Sequence, residues 1–180
     1  MEKIKFGIIG IGNMGSSHAK KVVEGKCPDF VLTAIADTNP ERHTWVKDAL
    51  SQDIVCFSDA IEMLDSGLID ACIVAVPHYD HCSLAMACMR RGIHVMVEKP
   101  AGVYTKQVRE MNAMADKHPE VVFGMMFNQR TNHIYRKLKE LIDSGKYGQI
   151  RRTNWIITNW YRPQAYYDSG AWRATWAART

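Results

Sequence analysis

The sequence predicts an α/β protein built on a doubly wound parallel sheet, followed by the start of a second, α+β unit on an open sheet. Three observations predict it. The apolar run Ile4 to Ile9 empties into Gly10-x-Gly12-x-x-Gly15. Further short apolar runs alternate with helix-like segments as far as residue 127. The second run ends in an acid, Asp37, twenty-two residues after Gly15. Strands alternating with helices give a parallel sheet covered on both faces. The runs make six strands, enough for two mononucleotide-binding halves in the Rossmann manner.

The elements follow in order. Gly10 allows a tight turn, Gly12 lets the backbone approach a pyrophosphate, and Gly15 lets the next helix lie against the strand. The first N–H groups of that helix carry partial positive charge and would face the phosphates. Ser16 to Glu24 reads as that helix, ended by Gly25 and Pro28. Phe30 to Ala36 is rich in β-formers. Asn39-Pro40 reads as an N-cap with proline in the first turn, opening a helix to about Ser51. Ile54 to Phe57 is a short strand, and Asp59 with Glu62 has capping-box spacing for a helix stopped by Ser66-Gly67. Ile69 to Val76 is a buried strand ending at Pro77. A helix from His81 to Arg91, a strand from His94 to Val97, a helix from Thr105 to Lys117 and a strand from Val121 to Phe127 complete the series.

The pattern changes near residue 130, where we place a domain boundary: 1–130 for the nucleotide domain and 131–180 for the beginning of the second. Asn132 to Ser144 is an amphipathic helix with Ile134, Leu138, Leu141 and Ile142 on one face. Ile150 to Trp160 alternates as a strand would. Residues 150–180 hold four of the five tryptophans (Trp155, Trp160, Trp172, Trp176), a concentration that needs something to pack against.

Composition narrows the function classes. The net charge of +4 comes from dispersed basic residues, with no basic run interleaved with aromatics, which disfavours nucleic acid. No apolar stretch approaches the length that crosses a bilayer, and none has the layout of a signal peptide. The five cysteines are odd in number and include no Cys-x-x-Cys pair, so reduced thiols in a cytoplasmic protein are expected.

Three places carry candidate chemistry. A carboxylate at Asp37 would accept from the adenosine ribose hydroxyls and repel a 2′-phosphate, favouring NAD; a plain turn aspartate is the competing reading. Arg42 keeps NADP open as the lesser alternative. Ala75-Val76-Pro77-His78-Tyr79-Asp80-His81 closes the fourth strand, at the crevice where the strand order reverses. His78-x-x-His81 has no third ligand cluster nearby, so no metal is expected, and His81 could instead cap the next helix. Glu98-Lys99-Pro100 closes the fifth strand. Glu98 and Lys99 point to opposite sides, and Pro100 restricts Lys99 to an extended backbone. Beside a nicotinamide, Lys99 could hydrogen-bond the substrate oxygen or move its proton; a solvated lysine is the alternative. His18, His43, His94, His118 and His133 show no usable spacing, and the methionines read as core.

Four blocks then coincide in order: Gly-Ile-Gly-Asn-Met-Gly-x-x-His-Ala at 10–19, Pro77 with His81, Gly-x-His-Val-x-x-Glu-Lys-Pro at 92–100, and Asn128-x-Arg130. Together they resemble the glucose–fructose oxidoreductase, inositol dehydrogenase and MocA family. The resemblance implies an NAD(P)-dependent oxidoreductase acting on sugars, polyols and related hydroxy compounds, with a Rossmann domain followed by a domain on an open, mainly antiparallel sheet. It implies that Gly10, Ile11, Gly12, Asn13 and Met14 wrap the pyrophosphate and that Asp37 and Thr38 serve the ribose side. It further implies that Ala75, Val76, Pro77, His78 and His81 line the nicotinamide side, that Glu98 contacts the cofactor, and that Lys99 is the catalytic lysine. Asn128, Arg130, Trp172 and Arg173 match family positions near cofactor and substrate. The family's later Gly-Gly-Gly turn and its Asp/Asn and His are not met before Thr180, so the chain is expected to be the front part of a family member. Its full-length form is expected to be a homo-oligomer, and binding of NAD without turnover is the competing function. Tyr166, Tyr167 and Trp172 could stack on a sugar or pack into the second domain.

Overall fold

In a computed structural model of the chain, the described residues are 2–158 and 160–168. The chain divides into two compact units, Met1–Phe127 and Asn128–Thr180. The first unit holds strands β1 (Ile4–Ile9), β2 (Phe30–Ala36), β3 (Val55–Phe57), β4 (Ala71–Val74), β5 (His94–Val97) and β6 (Phe123–Met125). Its helices are α1 (Asn13–Val23), α2 (Pro40–Ala49), α3 (Ala60–Asp65), α4 (His81–Met89) and α5 (Thr105–Lys117). All strand pairs are parallel, in the order β3-β2-β1-β4-β5-β6. The order reverses between β1 and β4, which opens a crevice at their carboxyl ends.

Side chains alternate across each strand, so neighbouring residues bury into different layers. Ile8, Ile35 and Ile73 pack with Ala19, Val22 and Val46 of α1 and α2. Ile9, Ala34 and Val74 pack with Met63, Cys88, Met89 and Met111 of α3, α4 and α5. Both faces of the central strands are therefore dry, and the near-continuous apolar runs of β1, β2 and β4 follow from that.

Local signals set the helix starts. Asn39 accepts from the Glu41 amide at 2.9 Å, with Pro40 as the first residue of α2. Asp59 Oδ1 accepts from the Ile61 and Glu62 amides at 2.7 and 3.0 Å. Several elements differ from their expected bounds, among them β6, which spans Phe123–Met125 rather than Val121–Phe127, and α4, which ends at Met89 rather than Arg91. α1 begins at Asn13 rather than Ser16, because the Ser16 amide closes the first turn onto the Gly12 carbonyl at 2.9 Å. β4 is limited to Ala71–Val74, the stretch in register with both Phe6–Ile9 and His94–Val97; beyond it the ladder partners end.

The second unit contains a 3-10 turn (Asn128–Thr131), helix α6 (His133–Asp143) and a short helix α7 (Gln164–Asp168). Asn132 caps α6 through the Ile134 amide at 2.9 Å. The expected strand over 150–160 is absent among the described residues. A strand needs a neighbour for its N–H and C=O groups, and no described residue of this unit pairs with it. Trp155 instead stacks on Tyr135 of α6, centroids 5.8 Å apart. The apolar residues of α6 expected on one face, Ile134, Leu138, Leu141 and Ile142, are all exposed.

No helix among the described residues is long and apolar enough to cross a membrane. The Sγ atoms of Cys72 and Cys88 lie 3.4 Å apart in the core. The hydrogen bond with Cys88, together with burial, pushes the Cys72 thiol well above its ordinary range. The native protein should therefore show slow alkylation of Cys72, Cys82 and Cys88 by a neutral thiol reagent, with half-buried Cys27 and Cys56 reacting first. Mass spectrometry before and after denaturation checks this, and early labelling of Cys72 would refute it.

Candidate active site at the switch point

The glycine turn is built by close approach. The Gly10 amide donates to the Ala36 carbonyl at 2.7 Å, and the Ala75 amide to Ile9 at 2.8 Å, so the turn sits between the ends of β2 and β4. Gly10 has φ +90°, and a Cβ there would lie 2.8 Å from the Ala75 carbonyl oxygen. A Cβ on Gly15 would overlap the Gly10 carbonyl oxygen. At Gly12 a Cβ would meet nothing within 4 Å. Two glycines thus let α1 dock on β1, and the third leaves space open at the helix start. Gly12 provides no side-chain cap to α1, and the first turn carries no acid. Uncapped first-turn amides facing open space form a seat for an anion, so these residues fit a dinucleotide's pyrophosphate.

Asp37 follows β2 directly. Its Oδ2 accepts from the Ile11 amide at 2.6 Å and its Oδ1 from the Asn39 amide at 2.9 Å. The carboxylate therefore ties the glycine turn to the end of β2, and each oxygen keeps a second acceptor direction for a ribose hydroxyl. His43 Nε2 donates to the Asp37 carbonyl at 2.7 Å, a contact no sequence spacing indicated. Thr38 and Arg42 are exposed beside it.

At the end of β5, the Glu98 amide continues the ladder onto the Val74 carbonyl at 2.9 Å. Glu98 is only 5% exposed, and a carboxylate that deep needs partners. One is His18 of α1, whose Nε2 donates to Oε1 at 2.8 Å. The other is the Lys99 amide, which donates to Oε2 at 3.2 Å. Lys99 itself is exposed, and the Lys99–Pro100 peptide is cis. His18 stands in the block at 10–19, but nothing in its spacing pointed to Glu98 as its partner. Its signal is helical: it stands one turn after Gly15, beside the buried stripe Gly15, Ala19 and Val22.

His81 is 1% exposed, and its ring links two loops. Nε2 lies 2.9 Å from the Val76 carbonyl and Nδ1 2.7 Å from the Pro100 carbonyl. A carbonyl oxygen only accepts, so a neutral ring makes one of these bonds and only the doubly protonated ring makes both. The ring does not cap α4; it joins the segment after β4 to the segment after β5. His78 packs edge-on against it, centroids 5.6 Å apart. Ala75 and Val76 are half-buried and Pro77 is exposed.

Asn128 and Arg130 belong to the 3-10 turn of the second unit, where Thr131 Oγ1 donates to the Asn128 carbonyl at 2.8 Å. Trp172 and Arg173 lie outside the described residues. No group of three His, Cys, Asp or Glu among the described residues is placed to hold a metal ion.

Sheet order, crossovers and the glycine turn make the first unit a Rossmann domain, the class of fold that holds dinucleotides at such a crevice. Residues 4–125 match the model of the GFO_IDH_MocA family, described as an oxidoreductase family with an NAD-binding Rossmann fold, and the chain belongs to that family. It is 29% identical over 148 residues to the myo-inositol 2-dehydrogenase of Thermotoga maritima, covering 81% of this chain and 42% of the relative. It is similar to the scyllo-inositol dehydrogenase of Lactobacillus casei solved with bound NAD(H) and scyllo-inositol: TM-score 0.77, 29% identity, 82% of this chain and 43% of that one. It is also similar to the WlbA dehydrogenase of Bordetella pertussis, solved with NADH and UDP-GlcNAcA: TM-score 0.84, 28% identity, 97% and 49%. The chain thus spans less than half the length of these relatives.

Replacing His81 with Phe keeps an apolar ring but removes the N–H donor between these two carbonyls. The expected cost is about 2–3 kcal/mol in urea unfolding; a change below about 0.5 kcal/mol would show that neither bond contributes.

Proposed function

We propose that this chain carries the NAD-binding part of an oxidoreductase that passes a hydride between a sugar or polyol carbon and the nicotinamide. The observation that carries the reading is the 2.8 Å contact between His18 of α1 and Glu98 at the end of β5. It brings Lys99 to the same crevice as the glycine turn. The bound nicotinamide supplies the hydride acceptor or donor. Gly10, Ile11, Gly12, Asn13 and Met14 hold the pyrophosphate with backbone amides, and Asp37 with Thr38 receives the ribose. Ala75, Val76, Pro77 and His78 border the nicotinamide side, with His81 fixing the loop. Lys99 hydrogen-bonds the substrate hydroxyl and takes part in moving its proton as the carbonyl forms.

The relatives of Thermotoga and Lactobacillus are named for inositol, and the Bordetella relative was solved with a nucleotide sugar. Cyclic polyols and sugar derivatives are therefore the substrate class to test. NAD held without turnover is a second reading, since residues 4–125 match an NAD-binding Rossmann fold and the chain spans 42% of the Thermotoga relative's length. An assay of NAD reduction over a panel of inositols and sugars separates the two.

NAD is proposed over NADP because a carboxylate directly after the second strand of such a fold, as Asp37 is, would repel a 2′-phosphate. Fluorescence titration should show NADH bound more tightly than NADPH, and Asp37→Ala should narrow that preference by about tenfold or more. Equal affinity for both cofactors in the unaltered chain would overturn the choice. Lys99→Ala should leave NADH affinity within roughly threefold while turnover, in a chain extended to the relatives' length, falls by about 10²–10⁴. Parallel loss of both would assign Lys99 to binding instead.

A further inference from the structure

Lys99 has an exposed side chain, so what aims it is its backbone. The backbone on its amide side is held by one group, the Glu98 carboxylate, which shares its two oxygens between α1 and Lys99. We propose that His18 is a positioning residue for Lys99, acting through that carboxylate. Lys99 as the reacting lysine rests on the functional reading above; the positioning link itself rests on geometry.

The chain of contacts is short and mostly dry. His18 is 14% exposed and Glu98 6% at their side chains. His18 Nε2 fixes Oε1, and fixing one oxygen fixes the plane of the carboxylate. The second oxygen is then turned to the Lys99 amide at 3.2 Å. That bond is long for an N–H donor, and it depends on the acceptor being held in place. Without His18 the buried carboxylate has lost its charged or polar partner and is drawn toward solvent, away from the amide. On the other side, His81 Nδ1 lies 2.7 Å from the Pro100 carbonyl, so buried side chains flank the Lys99–Pro100 segment at both ends. α1 is also the helix whose first-turn amides form the phosphate seat. One helix therefore fixes both the anion site at its start and, through His18 one and a half turns on, the direction of the lysine.

The test is amide hydrogen exchange by NMR on the chain itself, reading Lys99 against Ile8 and Val74 as core references. In His18→Phe, which keeps a ring but no donor, Lys99 exchange should rise roughly three- to tenfold relative to the references, the range one hydrogen bond supports. In His18→Gln, which keeps an N–H donor, it should stay within about twofold of the unaltered chain. Unchanged Lys99 exchange in His18→Phe overturns the proposal. So does equal acceleration of Lys99, Ile8 and Val74, which marks a merely structural role. Should His18→Phe not fold, the unaltered chain decides: an unprotected Lys99 amide overturns the proposal, a protected one that His18→Gln preserves supports it. NADH titration of the unaltered chain is run alongside. Failure to bind refutes the cofactor reading without touching the exchange result.

Discussion

The docking of α1 against the end of β1, possible because residue 15 has no side chain, sets the rest of the site. A Cβ there would occupy the place of the Gly10 carbonyl oxygen, and the helix would have to move out. With α1 in place, its uncapped first turn faces the open space at Gly12, and its buried stripe brings His18 to the end of β5. The phosphate seat and the surroundings of Lys99 are thus consequences of one close packing contact.

Carboxylates do the joining. Asp37 links the turn after β1 to the end of β2, and Glu98 links α1 to the backbone after β5. Each places both oxygens on different elements, which is how a single acid can set the relative position of two loops. His81 sits between the segments after β4 and β5, a ring nitrogen within hydrogen-bond distance of a carbonyl on each. The crevice is lined by loops, but the loops are pinned to a rigid sheet, which is how a binding site keeps its geometry.

Much of the first unit was legible in its sequence. The runs of β1, β2 and β5 and the helix Thr105–Lys117 stood at their expected bounds, because apolar periodicity and caps such as Asn39 and Asp59 are local signals. Asp37 was legible because its spacing from Gly15 is a property of one crossover. The pairing of His18 with Glu98 was not, since the two lie eighty residues apart. His81 was placed at the crevice by order alone, but its two carbonyl partners come from separate loops that no pattern relates. In the second unit the alternation of 150–160 suggested a strand, yet alternation only prepares a strand, and pairing makes one.

What the sequence determined by itself was the fold class, the glycine turn, the acid after β2 and the lysine after β5, for these depend on residues near one another along the chain. The tertiary structure alone decided which groups hold those residues in place. His18 meets Glu98, His43 meets the Asp37 carbonyl, and His81 spans Val76 and Pro100 only after the parallel sheet has brought separate crossovers side by side. The physical reason is that a hydrogen bond needs its atoms within about 3 Å, and that distance is set by packing, not by position in the chain.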